Sequence, residues 1–125
     1  FEGSPADDLY YSKNISQGAL KKGTQIRNLD QGYIANPLFI RYAEDIADKN
    51  SIKYQNAVRR GGSTDAAKIS LGNKAVPCLV LGIPSRYVHS HYNYCAKEDI
   101  EASVSLAVEV IKNLNEESIN KIMRK

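Results

Sequence analysis

Two stretches of the chain carry apolar residues at helical spacing. Phe39, Tyr42, Ala43 and Ile46 recur every third or fourth position, and Asn36-Pro37 ahead of them supplies a capping side chain and a proline suited to the first helical position. The pattern predicts an amphipathic helix running from there to Asn50. Ile100, Val104, Ala107 or Val108, Ile111 and Leu114 mark a longer helix starting near Lys97, followed by a polar tail through Lys125. Between the two, residues 76–83 form the most apolar run in the chain, the pattern of a strand covered on both faces, with Pro84 expected to end it. Thr24-Gln25-Ile26-Arg27 and residues 53–58 read as two further strands, the second broken by Gly61-Gly62. Thr64 or Asp65 is placed to cap a shorter helix reaching about Asn73. Residues 7–22 are polar and glycine-interrupted without a steady period, and residues 85–95 form a loop carrying both histidines.

Strand and helix therefore alternate, which predicts an α/β layer with helices packed on a mixed, largely parallel sheet. Ligands in such sheets collect beyond the carboxyl ends of strands. Residues 59–66 and 85–91, each following a predicted strand, are the two places this rule selects.

The 125 residues, 42% hydrophobic and 25% charged, suffice for a single globular unit and exclude collagen-like, coiled-coil and wholly disordered chains. A net charge of +3, with both signs interspersed, is too weak a field to argue for nucleic acid. No apolar stretch approaches the roughly 20 residues of a membrane span, so no membrane partner is expected. Cys78 and Cys95 lack metal or redox spacing, which fits a reducing, cytoplasmic setting. Phe1-Glu2-Gly3-Ser4-Pro5 carries no sign of a natural start, so the chain is expected to be a piece of a longer one.

His89 lies just beyond the apolar strand, where a rigid scaffold can hold an imidazole nitrogen at about 2.0–2.1 Å from a zinc ion. A loop histidine bonded to a backbone carbonyl is the alternative reading. His91, two residues on, suits a surface or substrate-channel role. Asp65 is either a carboxylate behind a metal-bound histidine or a plain helix cap. Gly61 and Gly62 remove Cβ atoms where a backbone must come close to something, and a tight turn explains them equally well. Their spacing matches neither a dinucleotide fingerprint nor a P-loop. Arg86 either neutralises a carboxylate or covers the loop with its stem. Tyr87, Tyr92 and Tyr94 either wall a pocket or pack together. There is no G-x-S-x-G nucleophile elbow, and Cys78 reads as a core residue.

The ordered series Gly61-Gly62-Ser63-Thr64-Asp65-Ala66, Ala75-Val76-Pro77, Ile83-Pro84-Ser85-Arg86-Tyr87-Val88-His89-Ser90 and Asp99-Ile100-Glu101-Ala102 resembles a known pattern. It is similar to the carboxyl-terminal part of the catalytic domain of the two-metal aminopeptidase family of glutamyl, deblocking and tetrahedral (TET) enzymes, often labelled cellulases or endoglucanases. The likeness runs from about Gly23 to Leu114. It implies a phosphorylase/hydrolase-like α/β fold with a bridged pair of zinc or cobalt ions, a glutamate base acting on peptide substrates, and a homo-oligomer in the complete protein. It places a metal ligand on His89 and borders the substrate pocket with Gly61, Gly62, Thr64, Asp65, Arg86 and Tyr87. No catalytic residue falls within these 125 positions: the paired glutamates, the other ligands and the dimerisation domain belong upstream in such enzymes, so this single unit is expected to be inactive alone. His91 stands where the family has proline, and Ala96 where an aspartate often opens the last helix.

Two other readings compete. One is a non-catalytic binding or assembly module built on the same scaffold. The other, a carbohydrate hydrolase, would need two opposed carboxylates across a sugar, and no such pair falls on the predicted strand ends.

Overall fold

In the computed structural model, which describes residues 1–73 and 75–124, the strongest sequence signals form the frame. The strands are β1 (Glu2–Pro5), β2 (Thr24–Leu29), β3 (Tyr54–Val58), β4 (Leu81–Arg86) and β5 (Tyr94–Cys95), and the helices are α1 (Pro37–Lys49), α2 (Ala66–Ile69), α3 (Lys97–Asn113) and α4 (Glu116–Met123). The Asn36 side chain caps α1 by accepting from the N–H groups of Leu38 at 2.9 Å and Phe39 at 3.2 Å, with Pro37 at the first helical position.

The described strands form one mixed sheet in the order β1-β4-β2-β3, with β5 paired to β4. β1 runs parallel to β4 and β2 parallel to β3, while β2 and β4 are antiparallel. The carboxyl ends of β3 and β4 therefore point in opposite directions, and the two loops selected from sequence leave opposite ends of the sheet.

Side chains alternate across a strand, which gives the sheet two different faces. Ile26 of β2 points to the side where α1 and α3 pack, joining Ile40, Ala43, Ala47, Leu81, Leu106 and Val110 in the core. Its neighbours Gln25 and Arg27 point to the other side, where the buried residues are polar. Arg27 there bonds Glu2 and, at 2.8 Å, Ser4; Arg59 reaches Asp7 at 3.0 Å and Gln25 at 2.8 Å. The loop of residues 7–22 folds over this polar face. It is tied down by Asp99 of α3, whose carboxylate accepts from the N–H groups of Lys21 at 2.7 Å and Gly23 at 2.8 Å. Gly23 is required at that point: its φ is +93°, and a Cβ would lie 2.0 Å from the Lys53 carbonyl oxygen.

Several expectations are corrected. The apolar run 76–83 forms a strand only from Leu81, because pairing partners on β1 and β2 begin there. Pro84 sits inside β4 rather than ending it. β2 partners residues 81 and 82 and β5 partners 85 and 86, so proline falls in the gap between them, where no N–H is needed. The short helix after Asp65 stops at Ile69 rather than continuing toward Asn73, and Asp65 makes no side-chain cap bond. The polar tail contains α4, capped by a reciprocal Asn115–Ser118 pair and seated on α1 through Ile122. Lys125, the end of that predicted tail, lies outside the described residues. The apolar stripe read for α3 is half wrong: its buried face is Asp99, Ser103, Leu106 and Val110, whereas Ile100, Val104, Val108 and Ile111 are exposed.

Candidate functional site

The loop after β4 is held in an uncommon conformation. Tyr87 and His89 have φ of +62° and +67°, a region costing a non-glycine residue of order 1–2 kcal/mol. Three contacts sustain it. β5 returns to pair with β4 through Ser85↔Cys95 and Arg86↔Tyr94. The Tyr87 and Tyr94 rings meet edge to face with centroids 5.8 Å apart. The Ser90 hydroxyl lies 2.6 Å from both the Tyr87 and Tyr92 carbonyl oxygens, with one proton to share between them. Strain retained by surrounding contacts is a mark of functional loops.

Arg86 donates to Asp8 at 2.9 Å, so the carboxylate it neutralises is one of this chain's own. His89 and His91 are both exposed, and neither imidazole has a hydrogen-bond partner among the described residues. The carbonyl-bonded loop histidine is therefore not what forms. His89 presents a free ring at the end of β4.

The glycine-rich turn is elsewhere. No atom of the described residues lies within 4 Å of where a Cβ on Gly61 or Gly62 would sit, so no close approach within the chain itself calls for this pair. Gly62 serves the turn instead, with φ of +79° and its carbonyl accepting from Gln31 N–H at 3.1 Å. Thr64 and Asp65 line a cavity of about 410 Å³ with Glu2, Ser63, Cys78 and Val80. The Thr64 hydroxyl is buried there without a hydrogen-bond partner among the described residues. No residue from Arg86 to His89 lines this cavity, so the chain alone does not bring the two halves of the predicted site together.

Sequence reasoning missed the charged neighbours of that cavity. Glu2 is ion-paired to Arg27, whose other neighbour is Asp30 at 3.6 Å. Burial pushes the Glu2 carboxyl above its ordinary value, against the downward pull of Arg27. The Asp30 side chain is fully enclosed, and its Oδ2 has no hydrogen-bond partner among the described residues. One signal was available: Glu2 and Ser4 alternate with Gly3 as in a strand, in a segment to which no element was assigned. Among the described residues, no three histidine, cysteine, aspartate or glutamate side chains stand together as a metal site.

A mixed sheet with helices packed on one face is an α/β scaffold shared with known aminopeptidases. The fold superposes on a TET aminopeptidase from a marine-sediment Thaumarchaeota archaeon with a TM-score of 0.91 at 27% identity, over 96% of this chain and 34% of that one. Residues 2–120 match the M42 glutamyl aminopeptidase family, and the chain belongs to that family. A glutamyl aminopeptidase of Lactococcus lactis subsp. cremoris is 33% identical over 119 residues, which are 95% of this chain and 32% of the relative. The TET1 peptidase of Pyrococcus horikoshii, which can assemble into a tetrahedron or a large octahedral shell, is 34% identical over 74% of this chain and 26% of its own, with a TM-score of 0.64. The chain spans about a third of the length of the L. lactis relative and of the archaeal TET structure.

Proposed function

We propose that this chain is part of a metal-dependent aminopeptidase that removes amino-terminal residues from peptides, and that His89 supplies one ligand to a pair of zinc or cobalt ions. The observation that carries the reading is the unpartnered imidazole of His89, held at the end of β4 by a strained, braced loop in a chain of the M42 family. Gly61, Gly62, Thr64 and Asp65 border the substrate pocket from one side, and Arg86 and Tyr87 from the other.

The donor set of this chain does not by itself fit a bridged metal pair, which needs several ligands per ion and a shared carboxylate. When bound, such a pair supplies an activated water and an electrophile for the substrate's amine or carbonyl. The remaining ligands and the glutamate base are assigned to polypeptide outside these residues, and the chain alone is inactive. In the complete protein the reading extends to a homo-oligomer working in the cytoplasm.

The test replaces His89 by alanine in the complete catalytic domain. Bound zinc, measured by elemental analysis, and hydrolysis of amino-acid anilides are expected to fall together, with no hydrolysis of soluble glucan by either form. Unchanged zinc and activity in His89→Ala would end the assignment.

A further inference from the structure

The cavity beside the glycine-rich turn has a wall of two kinds. Its volume, about 410 Å³, is too large for a packing void and falls in the range of small-ligand pockets, about 300–1,000 Å³. Phe1, Ile69, Leu79 and Val80 make part of the wall apolar, and Phe1 and Ile69 remain 73 and 55% exposed. The rest is polar. Asp65 is exposed and makes no cap bond to α2, and its carboxylate has no ion pair or hydrogen bond among the described residues. The neighbouring Thr64 hydroxyl is buried and likewise without a hydrogen-bond partner among them.

The charges around this cavity do not balance. Glu2, the second carboxylate in the lining, is matched by Arg27, and that guanidinium also bonds Ser4 and lies 3.6 Å from Asp30. No lysine or arginine among the described residues lines the cavity. Asp65 is therefore left as a negative charge with no counter-ion, beside an unused hydroxyl oxygen and an apolar wall.

An acidic side chain entering this space would meet Asp65 with no cation between them, and like charges in a partly desolvated pocket repel. A purely apolar side chain would cover the wall but strip water from Asp65 and Thr64 without replacing its hydrogen bonds. A lysine or arginine side chain satisfies both parts: its methylenes lie against apolar residues while its N–H groups donate to a carboxylate and a hydroxyl oxygen. We propose that this cavity receives the first side chain of the substrate and selects peptides that begin with lysine or arginine, with Asp65 as the residue that sets the preference. The proposal rests on the reading of the chain as part of an aminopeptidase whose substrate pocket Thr64 and Asp65 border.

The experiment measures kcat/KM of the complete catalytic domain on lysyl, arginyl, leucyl and glutamyl anilides, together with bound zinc. The lysyl and arginyl anilides should lead the other two by at least about tenfold, the least that a matched polar contact gives over a missing one. Asp65→Asn should lower that ratio at least about tenfold, through KM rather than kcat, with the fold by circular dichroism and the zinc content retained. Asp65→Glu, which keeps the charge, should restore the preference. A zinc-loaded enzyme that favours the leucyl or glutamyl anilide, or whose ratio survives Asp65→Asn, overturns the proposal and leaves the peptidase reading standing. The wild-type ratio decides against it even where a variant fails to fold. A zinc-loaded enzyme that hydrolyses none of the four anilides sinks the peptidase reading, and the proposal with it.

Discussion

Asp99 is the residue whose loss the structure prices most clearly. It is fully enclosed at the first turn of α3, and each carboxylate oxygen takes one backbone N–H from the turn that enters β2. Hydrogen bonds to a charged group are each worth about 1.5–3 kcal/mol, and a buried donor left alone costs about 1–3 kcal/mol. Lys21 is exposed, so its N–H returns to water when the carboxylate is removed; Gly23 is buried, so its N–H does not. Asp99→Ala should therefore destabilise the chain by about 2–4 kcal/mol, most of it from the Gly23 bond. Asp99→Asn keeps one acceptor for Gly23 and should cost about half as much. Urea unfolding of the 125-residue chain gives the stability change, and amide exchange at Gly23 locates it. A loss below about 1 kcal/mol for Asp99→Ala, or unchanged exchange at Gly23, would show that the carboxylate does not anchor the loop.

Two further predictions follow the same logic. Gly23→Ala should abolish cooperative unfolding, since the new Cβ would overlap the Lys53 carbonyl, whereas Gly61→Ala, with open space around it, should shift the urea midpoint negligibly. Asp7 accepts from Ser16 at 2.8 Å and from the Gly18 N–H at 3.0 Å, and it pairs with Arg59. Burial pushes its carboxyl up, but those bonds and the Arg59 charge outweigh it and hold the group below its usual value of 3.8. A depressed folded value stabilises the fold above the ordinary carboxyl range, and that stability is lost as pH falls through the folded value. Asp7→Asn should thus be most damaging near neutral pH and approach the wild type in acid; a penalty independent of pH, measured by urea titrations at several pH values, would contradict this.

The parts legible in the sequence were those with a local cause. Asn36-Pro37 caps and starts α1 by contacts within three residues, so its helix could be read directly. β2 and β3 were also readable from their alternating residues, but β1 and the limits of β4 were not. β1 is four residues, Glu-Gly-Ser-Pro, extended only because β4 lies beside it, and the boundaries of β4 are set by where β1, β2 and β5 meet it rather than by Pro84. α3 misled for a related reason. Its most regular apolar stripe is the exposed one, and its buried face contains Asp99 and Ser103, polar residues that a hydrophobic pattern discounts. At the candidate site, the motifs singled out His89 and the glycine-rich turn, but the opposite directions of β3 and β4, which send the loops after them to opposite ends of the sheet, are a property of pairing and are invisible in spacing. The cluster of Glu2, Arg27 and Asp30 was missed because Glu2 on β1, Arg27 on β2 and Asp30 just past the end of β2 come together only once the sheet exists.

The central claim is that His89 binds metal in an assembled M42 aminopeptidase. Zinc binding by the complete catalytic domain, titrated against a chromophoric chelator for wild type and for His89→Ala, addresses it most directly. The account predicts two zinc ions per wild-type subunit and the loss or severe weakening of one in the variant, with His91→Ala as a control that retains both. Equal zinc stoichiometry and affinity in wild type and His89→Ala would contradict it.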